Sequence, residues 1–305
     1  MNTANRASLL FFVVAAGAAF GEPDPSAQAE SKEKPRILFL AHELRARELR
    51  LADKVEKDVK QEGFAIAWHN SMADLTHEFL RQFHAVVVYY HHVAPRPDDR
   101  IKNGLGELRR YVKAGGGLLV TKDLYSRRGQ DFYRELLNPL EIEILMEQVQ
   151  DQQNVYRLKT LGTRQHGAFG WTDAITKHPA TEGVEGLFYS LGQWEPGEPG
   201  VLPLKAGADW QALVRGMPDA STFVPPPVGH SPKARKIPGT YSESPPLLAA
   251  RSFGKGRVAV WPTLATFTLL DGYSPILENG IVMRGRRGSM RSDGARLTYN
   301  LLRWL

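Results

Sequence analysis

The sequence predicts an α/β protein: a doubly wound, mostly parallel sheet followed by a C-terminal β-hairpin and a closing helix. Three observations predict it. Short apolar runs alternate with helical patterns through residues 36–121, the signature of parallel strands joined by right-handed crossovers. Two apolar runs flank Gly254-Lys255-Gly256, as in a hairpin. A last amphipathic stretch follows Ser292 and Asp293, either of which makes a good N-cap.

Each element has its own warrant. Arg36 to Ala41 is a short apolar run of the kind buried on both faces of a parallel sheet. Leu51, Val55 and Val59 then recur at helical spacing, and Gly63 stands where a helix C′ glycine belongs. Phe64 to Trp68 reads as the second strand, Leu75 to Phe83 as a short helix, and Ala85 to Tyr90 as the third strand. The helix from Asp98 buries Ile101, Leu105, Leu108 and Val112. Gly115-Gly116-Gly117 stops it, and Leu118 to Thr121 is the fourth strand. Asp131 to Leu137 is helical in pattern and Glu141 to Gln150 extended. Residues 194–200 and 225–246 are dense in Pro and Gly and read as loops. The closing helix is expected to bury Leu297, Leu301 and Trp304.

Composition narrows the function classes. Asn5-Arg6 followed by the apolar Leu9 to Phe20 reads as a secretory signal, too short to span a bilayer. Cleavage sites are expected after Ala19-Phe20-Gly21 or Ala27-Gln28-Ala29, and the second fits the small-x-small rule better. The organisation expected is a signal peptide at 1–29, a flexible leader at 30–35, and an α/β domain at 36–305 with a Pro-rich insert at about 224–246. Such a chain would be secreted or periplasmic, with no membrane span after cleavage. Net charge is +6, and removing Arg6, Glu22 and Asp24 with the signal gives +7. Arg284, Arg286, Arg287 and Arg291 cluster near the C-terminus. Export argues against nucleic acid as their partner. The chain has no cysteine, so disulfides, thiolate metal sites and cysteine nucleophiles are all excluded.

Ligands of open α/β sheets bind beyond the carboxyl ends of the strands. Those ends carry Ala41-His42-Glu43, Tyr90-His91-His92 and Thr121-Lys122-Asp123. His42, His91, Lys122 and Asp123 are therefore the candidate catalytic residues, with His92 a candidate substrate contact. Neighbouring histidines on extended backbone point oppositely, so at most one of His91 and His92 faces a shared cleft. Imidazole and carboxylate together suit a divalent cation such as zinc, although no paired-ligand spacing such as H-x-x-x-H occurs; no other cofactor is expected. Ser126 beside Asp123 lacks a G-x-S-x-G elbow. Gly115-Gly116-Gly117 precedes its strand, the wrong order for a phosphate loop. Trp171 and Trp194, in Gly-rich polar surroundings, are the candidate platforms for stacking a sugar ring.

Three segments add a resemblance. Arg110 to Val120 (R-Y-V-K-A-G-G-G-L-L-V), His178 to Val184 (H-P-A-T-E-G-V) and Ser252 to Val260 (S-F-G-K-G-R-V-A-V) precede a helix ending Leu301-Leu302-Arg303-Trp304-Leu305. In this order, over residues 36–305, they resemble the class I glutamine amidotransferase-like superfamily, and more closely its ThuA-like (trehalose-utilisation-like) branch. The resemblance implies a flavodoxin-like sheet and, for many relatives, a link to carbohydrate utilisation. The amidotransferase cysteine is absent, with Lys122-Asp123 near its place, and the histidine usual after this strand in ThuA-like relatives is missing. Glutaminase activity is thus excluded. The expectation is an exported accessory domain without catalysis, binding a carbohydrate or a protein partner. The alternative is a sugar-active hydrolase or isomerase using the His/Asp cleft with a metal's help.

Overall fold

The computed structural model describes residues 34–40, 56–88, 96–121, 129–157, 167–193, 200–225, 237–263 and 282–305. Four strands open the chain: β1 (Arg36–Leu40), β2 (Ala65–His69), β3 (Ala85–Val88) and β4 (Gly117–Val120). Helix α1 (described over residues 56–61) lies between β1 and β2, α2 (His77–Leu80) between β2 and β3, and α3 (Asp99–Ala114) between β3 and β4. After α4 (Gln130–Leu137) come the short strands β5 (Ile142–Ile144), β6 (Gln148–Gln150) and β7 (Val155–Arg157). β8 (Gly167–Thr172), β9 (Leu187–Gln193) and β10 (Leu204–Ala206) follow. The rest comprises β11 (Gln211–Arg215), β12 (Ser221–Val224), β13 (Ile237–Pro238), β14 (Pro246–Phe253), β15 (Gly256–Val260), β16 (Arg286–Arg287), β17 (Met290–Arg291) and α5 (Gly294–Trp304).

The largest sheet has the order β11-β14-β15-β4-β3-β1-β2. From β15 to β2 every pairing is parallel, and only β14 and β11 are joined antiparallel. Successive residues of the central strands divide between two faces. Ile37, Phe39, Val87, Leu119 and Ala259 pack with Val59 of α1 and Leu297 and Leu301 of α5. Leu38, Leu40, Val86, Val88, Leu118 and Val120 pack with Leu105, Leu108 and Val112 of α3 and with Phe132 and Leu136 of α4. Burial on both faces is why these strands read as unbroken apolar runs. The C-terminal hairpin, β14–β15, is no appendage, since β15 completes the parallel sheet beside β4.

The helix ends follow local chemistry. The Asp98 carboxylate accepts from the Ile101 N–H at 2.9 Å, capping α3, a contact worth about 1 kcal/mol. At the end of α1 the Gly63 N–H reaches Lys60 O and the Phe64 N–H reaches Val59 O, with Gly63 at φ 92°. This is the paired-bond C-terminal motif that favours glycine. The helix expected over 75–83 shrinks to α2, because its Thr76 cap fixes a later start and Arg81 already leaves the helix. The extended stretch expected over 141–150 splits into two. β5 pairs with β10 while β6 pairs with β12, so the chain must break between them. At that break Glu147 is buried, and its carboxylate accepts from the Thr240 N–H at 2.8 Å and the Thr240 hydroxyl at 2.5 Å. The described end of the Pro-rich insert is held there, and residues 226–236 lie outside the described set.

The segments that carry the family resemblance meet one another. The chain turns out of α3 through Gly115, at φ 127°. A Cβ on Gly116 would stand 2.1 Å from the Tyr111 ring, whose buried hydroxyl donates to Phe83 O at 3.1 Å. The hairpin turn packs against the same helix end, with the Lys255 N–H donating to Lys113 O at 3.0 Å. A Cβ on Gly256 would fall 2.1 Å from Val112 O and 2.2 Å from Gly116 O. Trp304, expected in the core, is half-buried. The His178 ring meets it edge-on at 4.8 Å, and the Arg257 guanidinium lies 5.5 Å over it while donating to its carbonyl. His178 Nδ1 accepts from the Ala180 N–H at 3.1 Å, and the Thr181 hydroxyl answers the His178 N–H at 3.0 Å. The Asn300 side-chain amide donates to Glu182 O at 2.9 Å, docking the segment on α5.

Two predictions come from these contacts. Gly256→Ala drives a methyl into two backbone carbonyls, so it should destabilise by more than the about 1–3 kcal/mol typical of overpacking, read as a drop in the urea midpoint. Gly63→Ala meets open space and should cost only the positive-φ strain, about 1–2 kcal/mol. Equal losses would contradict the interlock. Burial, and then the Arg257 charge, hold the His178 pKa below its ordinary value. The unfolded chain therefore takes up that proton first, so stability is full above about pH 6.5 and falls as pH drops through the depressed folded value. His178→Asn keeps a cap acceptor and should flatten that part of the pH profile of the urea midpoint.

Candidate functional site

The carboxyl edge of the sheet is set by register. Leu40 of β1 stands opposite Val88 of β3, Val88 opposite Val120 of β4, and Val120 opposite Val260 of β15. The four strands thus end abreast. Neighbouring strands lie about 4.8 Å apart, so the exits of β1, β3 and β4 fall within about 10 Å.

These ends are tied to each other through main-chain atoms. The Thr121 N–H and hydroxyl both donate to Val88 O, at 3.1 and 2.9 Å. The Tyr133 hydroxyl of α4 donates to Thr121 O at 3.1 Å, and the Trp261 N–H to Val120 O at 2.9 Å. The Leu202 N–H reaches Pro262 O at 3.3 Å. Two threonines, Thr121 and Thr263, are buried at the rim.

His42, His91, His92, Lys122, Asp123 and Trp194 all lie outside the described residues, on segments that leave this edge or, for Trp194, follow β9. Trp171 is described. It sits on β8, half-buried beside Phe169, Phe188 and Val282, and its indole N–H donates to Arg291 O at 3.0 Å. Both its ring and its polar edge are engaged in joining the β7–β8–β9 sheet to the chain around β17. Among the other aromatics, Trp68 packs on Phe39 at 4.9 Å between ring centres and Trp261 is buried. Among the described residues no group of three or more histidine and carboxylate side chains converges as metal ligands would. Nor is any helix among them long and apolar enough to cross a membrane.

One rim residue lies beyond what the sequence pattern reveals. β2 runs one residue further than its apolar pattern and ends on His69, level with Leu40. The His69 ring packs 5.0 Å from Phe79, and its Nε2 is buried without a partner among the described residues. The signal is there in principle, because a polar residue ending a strand run at the ligand edge merits the same attention as His42.

No protein-family model matches the chain, and no curated protein matches it. Solved structures do. A proposed ThuA-like protein from Bacteroides uniformis is similar over 93% of this chain and 95% of its own, at 11% identity and a TM-score of 0.49. A proposed ThuA-like protein from Parabacteroides merdae is similar over 89% and 90%, at 12% identity and a TM-score of 0.48. A proposed GMP synthase component from Thermoplasma acidophilum is similar over 88% and 93%, at 8% identity and a TM-score of 0.38. The structural neighbours of the chain include these two proposed ThuA-like proteins and a proposed GMP synthase component.

Proposed function

We propose that this chain is an exported, amidotransferase-like domain that binds a carbohydrate at the carboxyl edge of its sheet and has no glutaminase activity. The observation that carries this reading is the alignment of Leu40, Val88 and Val120 at one level. Two to four residues beyond those ends in the sequence come His42, His91-His92 and Lys122-Asp123. An extended residue reaches at most about 3.5 Å, so these groups start close enough to serve one polar cleft. Imidazole, ammonium and carboxylate there supply the donors and acceptors that fix a polyol. The amidotransferase chemistry that the resemblance implies uses a cysteine thiol as nucleophile, and the chain has no cysteine. A flavodoxin-like architecture is part of the same proposal. The parallel strands follow the order β2-β1-β3-β4-β15, and the order reverses at β1/β3, where such sheets hold their ligands. Export rests on the apolar Leu9 to Phe20 segment, and a protein partner is the other occupant this edge would take.

A second reading, a sugar-active hydrolase or isomerase, is favoured by one further feature. His69 ends its strand at the same level with a ring nitrogen that has no partner among the described residues, adding a third imidazole-bearing strand to a cleft that could then hold zinc.

Calorimetric titration of the protein with neutral mono- and oligosaccharides tests the first reading. At least one should bind, and His42→Ala with Asp123→Ala should weaken it about tenfold or more, roughly 1.4 kcal/mol, with an unchanged melting temperature. Silence across all saccharides would sink the carbohydrate assignment. Stoichiometric zinc in the purified protein, with turnover abolished by the same pair of substitutions, would replace it by the second reading.

A further inference from the structure

A groove away from the carboxyl edge has the makings of a separate ligand site. It is an open groove of about 510 Å³ that runs along α5, between that helix, the end of α1 and the Glu182-Gly183 turn. Small-ligand sites span roughly 300–1,000 Å³. None of its lining residues belongs to the strands whose ends form the rim, so it does not depend on the role proposed for that rim.

Its chemistry is lopsided. Arg303 is neutralised by Glu62 at 2.7 Å. Arg296 gives one N–H to Gly183 O at 2.5 Å and keeps its other donors. Arg284 lines the groove, exposed, with no partner among the described residues. Tyr299 lines the groove and is 4% exposed, yet its hydroxyl makes no hydrogen bond to a described residue. Burial first, then Asp58 and Glu62, push its pKa up to about 12, while Arg284 and Arg303 pull the other way. The phenol therefore stays a neutral donor within the field of two guanidiniums. Asn300 spends its N–H on Glu182 O, which leaves its carbonyl oxygen as an acceptor. The Glu182 carboxylate, also lining the groove, is in no ion pair among the described residues.

We propose that this groove binds a sugar-sized polyol carrying one anionic group, with Arg284, Arg296 and the Tyr299 hydroxyl taking the anion and Asn300 Oδ1 and Glu182 accepting from its hydroxyls. A guanidinium reads a carboxylate or a phosphate by two parallel hydrogen bonds, so either anion could supply the charge. The neighbouring acceptors require hydroxyls on the rest of the ligand.

Titrating the full chain carrying His42→Ala and Asp123→Ala, which removes the proposed rim site, with glucuronate, glucose 6-phosphate, glucose and inorganic phosphate, by calorimetry or NMR shifts, tests this. At least one anionic sugar should bind, glucose should not, and affinity should fall as salt rises. Which anionic sugar binds identifies the anion. Arg284→Gln should weaken binding at least tenfold and Tyr299→Phe about threefold, both without moving the melting temperature, while Arg110→Gln on α3 should change nothing. The proposal is overturned if neither anionic sugar binds, if glucose binds as tightly, or if Arg284→Gln leaves the affinity unchanged. Inorganic phosphate binding as tightly as glucose 6-phosphate would overturn the polyol half. Rim substitutions at His42 and Asp123 leave this binding intact, which separates its failure from that of the carboxyl-edge reading.

Discussion

The close approach of two glycine turns holds the architecture. Gly256 sits where even a methyl group would collide with Val112 O and Gly116 O, so the hairpin turn and the end of α3 can lie together only as bare backbone. That approach places β15 alongside β4, lets the Lys255 N–H satisfy Lys113 O, and sets Arg257 over Trp304. Trp304 in turn receives His178. A parallel sheet whose last strand arrives some 140 residues after its neighbour needs such a fixed point, because the entropy of closing so long a loop must be offset by contacts made at once.

The resemblance segments gain a physical meaning from this. R-Y-V-K-A-G-G-G, H-P-A-T-E-G-V and S-F-G-K-G-R-V are joined by contacts among Tyr111, Gly116, Gly256, Arg257, His178 and Trp304. They assemble at the amino-terminal ends of β4 and β15, opposite the edge where open α/β sheets as a class hold their ligands. These residues transmit a way of closing the sheet. They lie away from the carboxyl edge, so residues at that edge can change without disturbing how the sheet closes.

Legibility in the sequence follows the range of the interactions. The Asp98 cap, the Gly63 and Gly115 helix ends and the β14–β15 hairpin are readable because each depends on residues within a few positions. The break between β5 and β6 is not, since the partners that force it, β10 and β12, lie about 60 and 70 residues on. Helical spacing alone places Trp304 in the core. Its half-burial depends on Arg257 and His178, which no local window contains. The edge at which the candidate residues stand is legible from strand order. His69 escapes notice because the apolar pattern stops one residue before the hydrogen-bonded strand does.

The ties at the carboxyl edge have a consequence for how this protein can change. Thr121 and Tyr133 fasten the ends of β3 and β4 through Val88 O and Thr121 O, using no atom of the segments that continue beyond them. The strand tips are anchored before the loops begin. Loops mounted on such tips can be lengthened, exchanged or stripped of a reactive group while the mounting stays put. A lineage can therefore drift from one ligand to another by editing residues beyond the tied strand ends. For the protein engineer, the same tips offer defended attachment points onto which a foreign loop can be grafted.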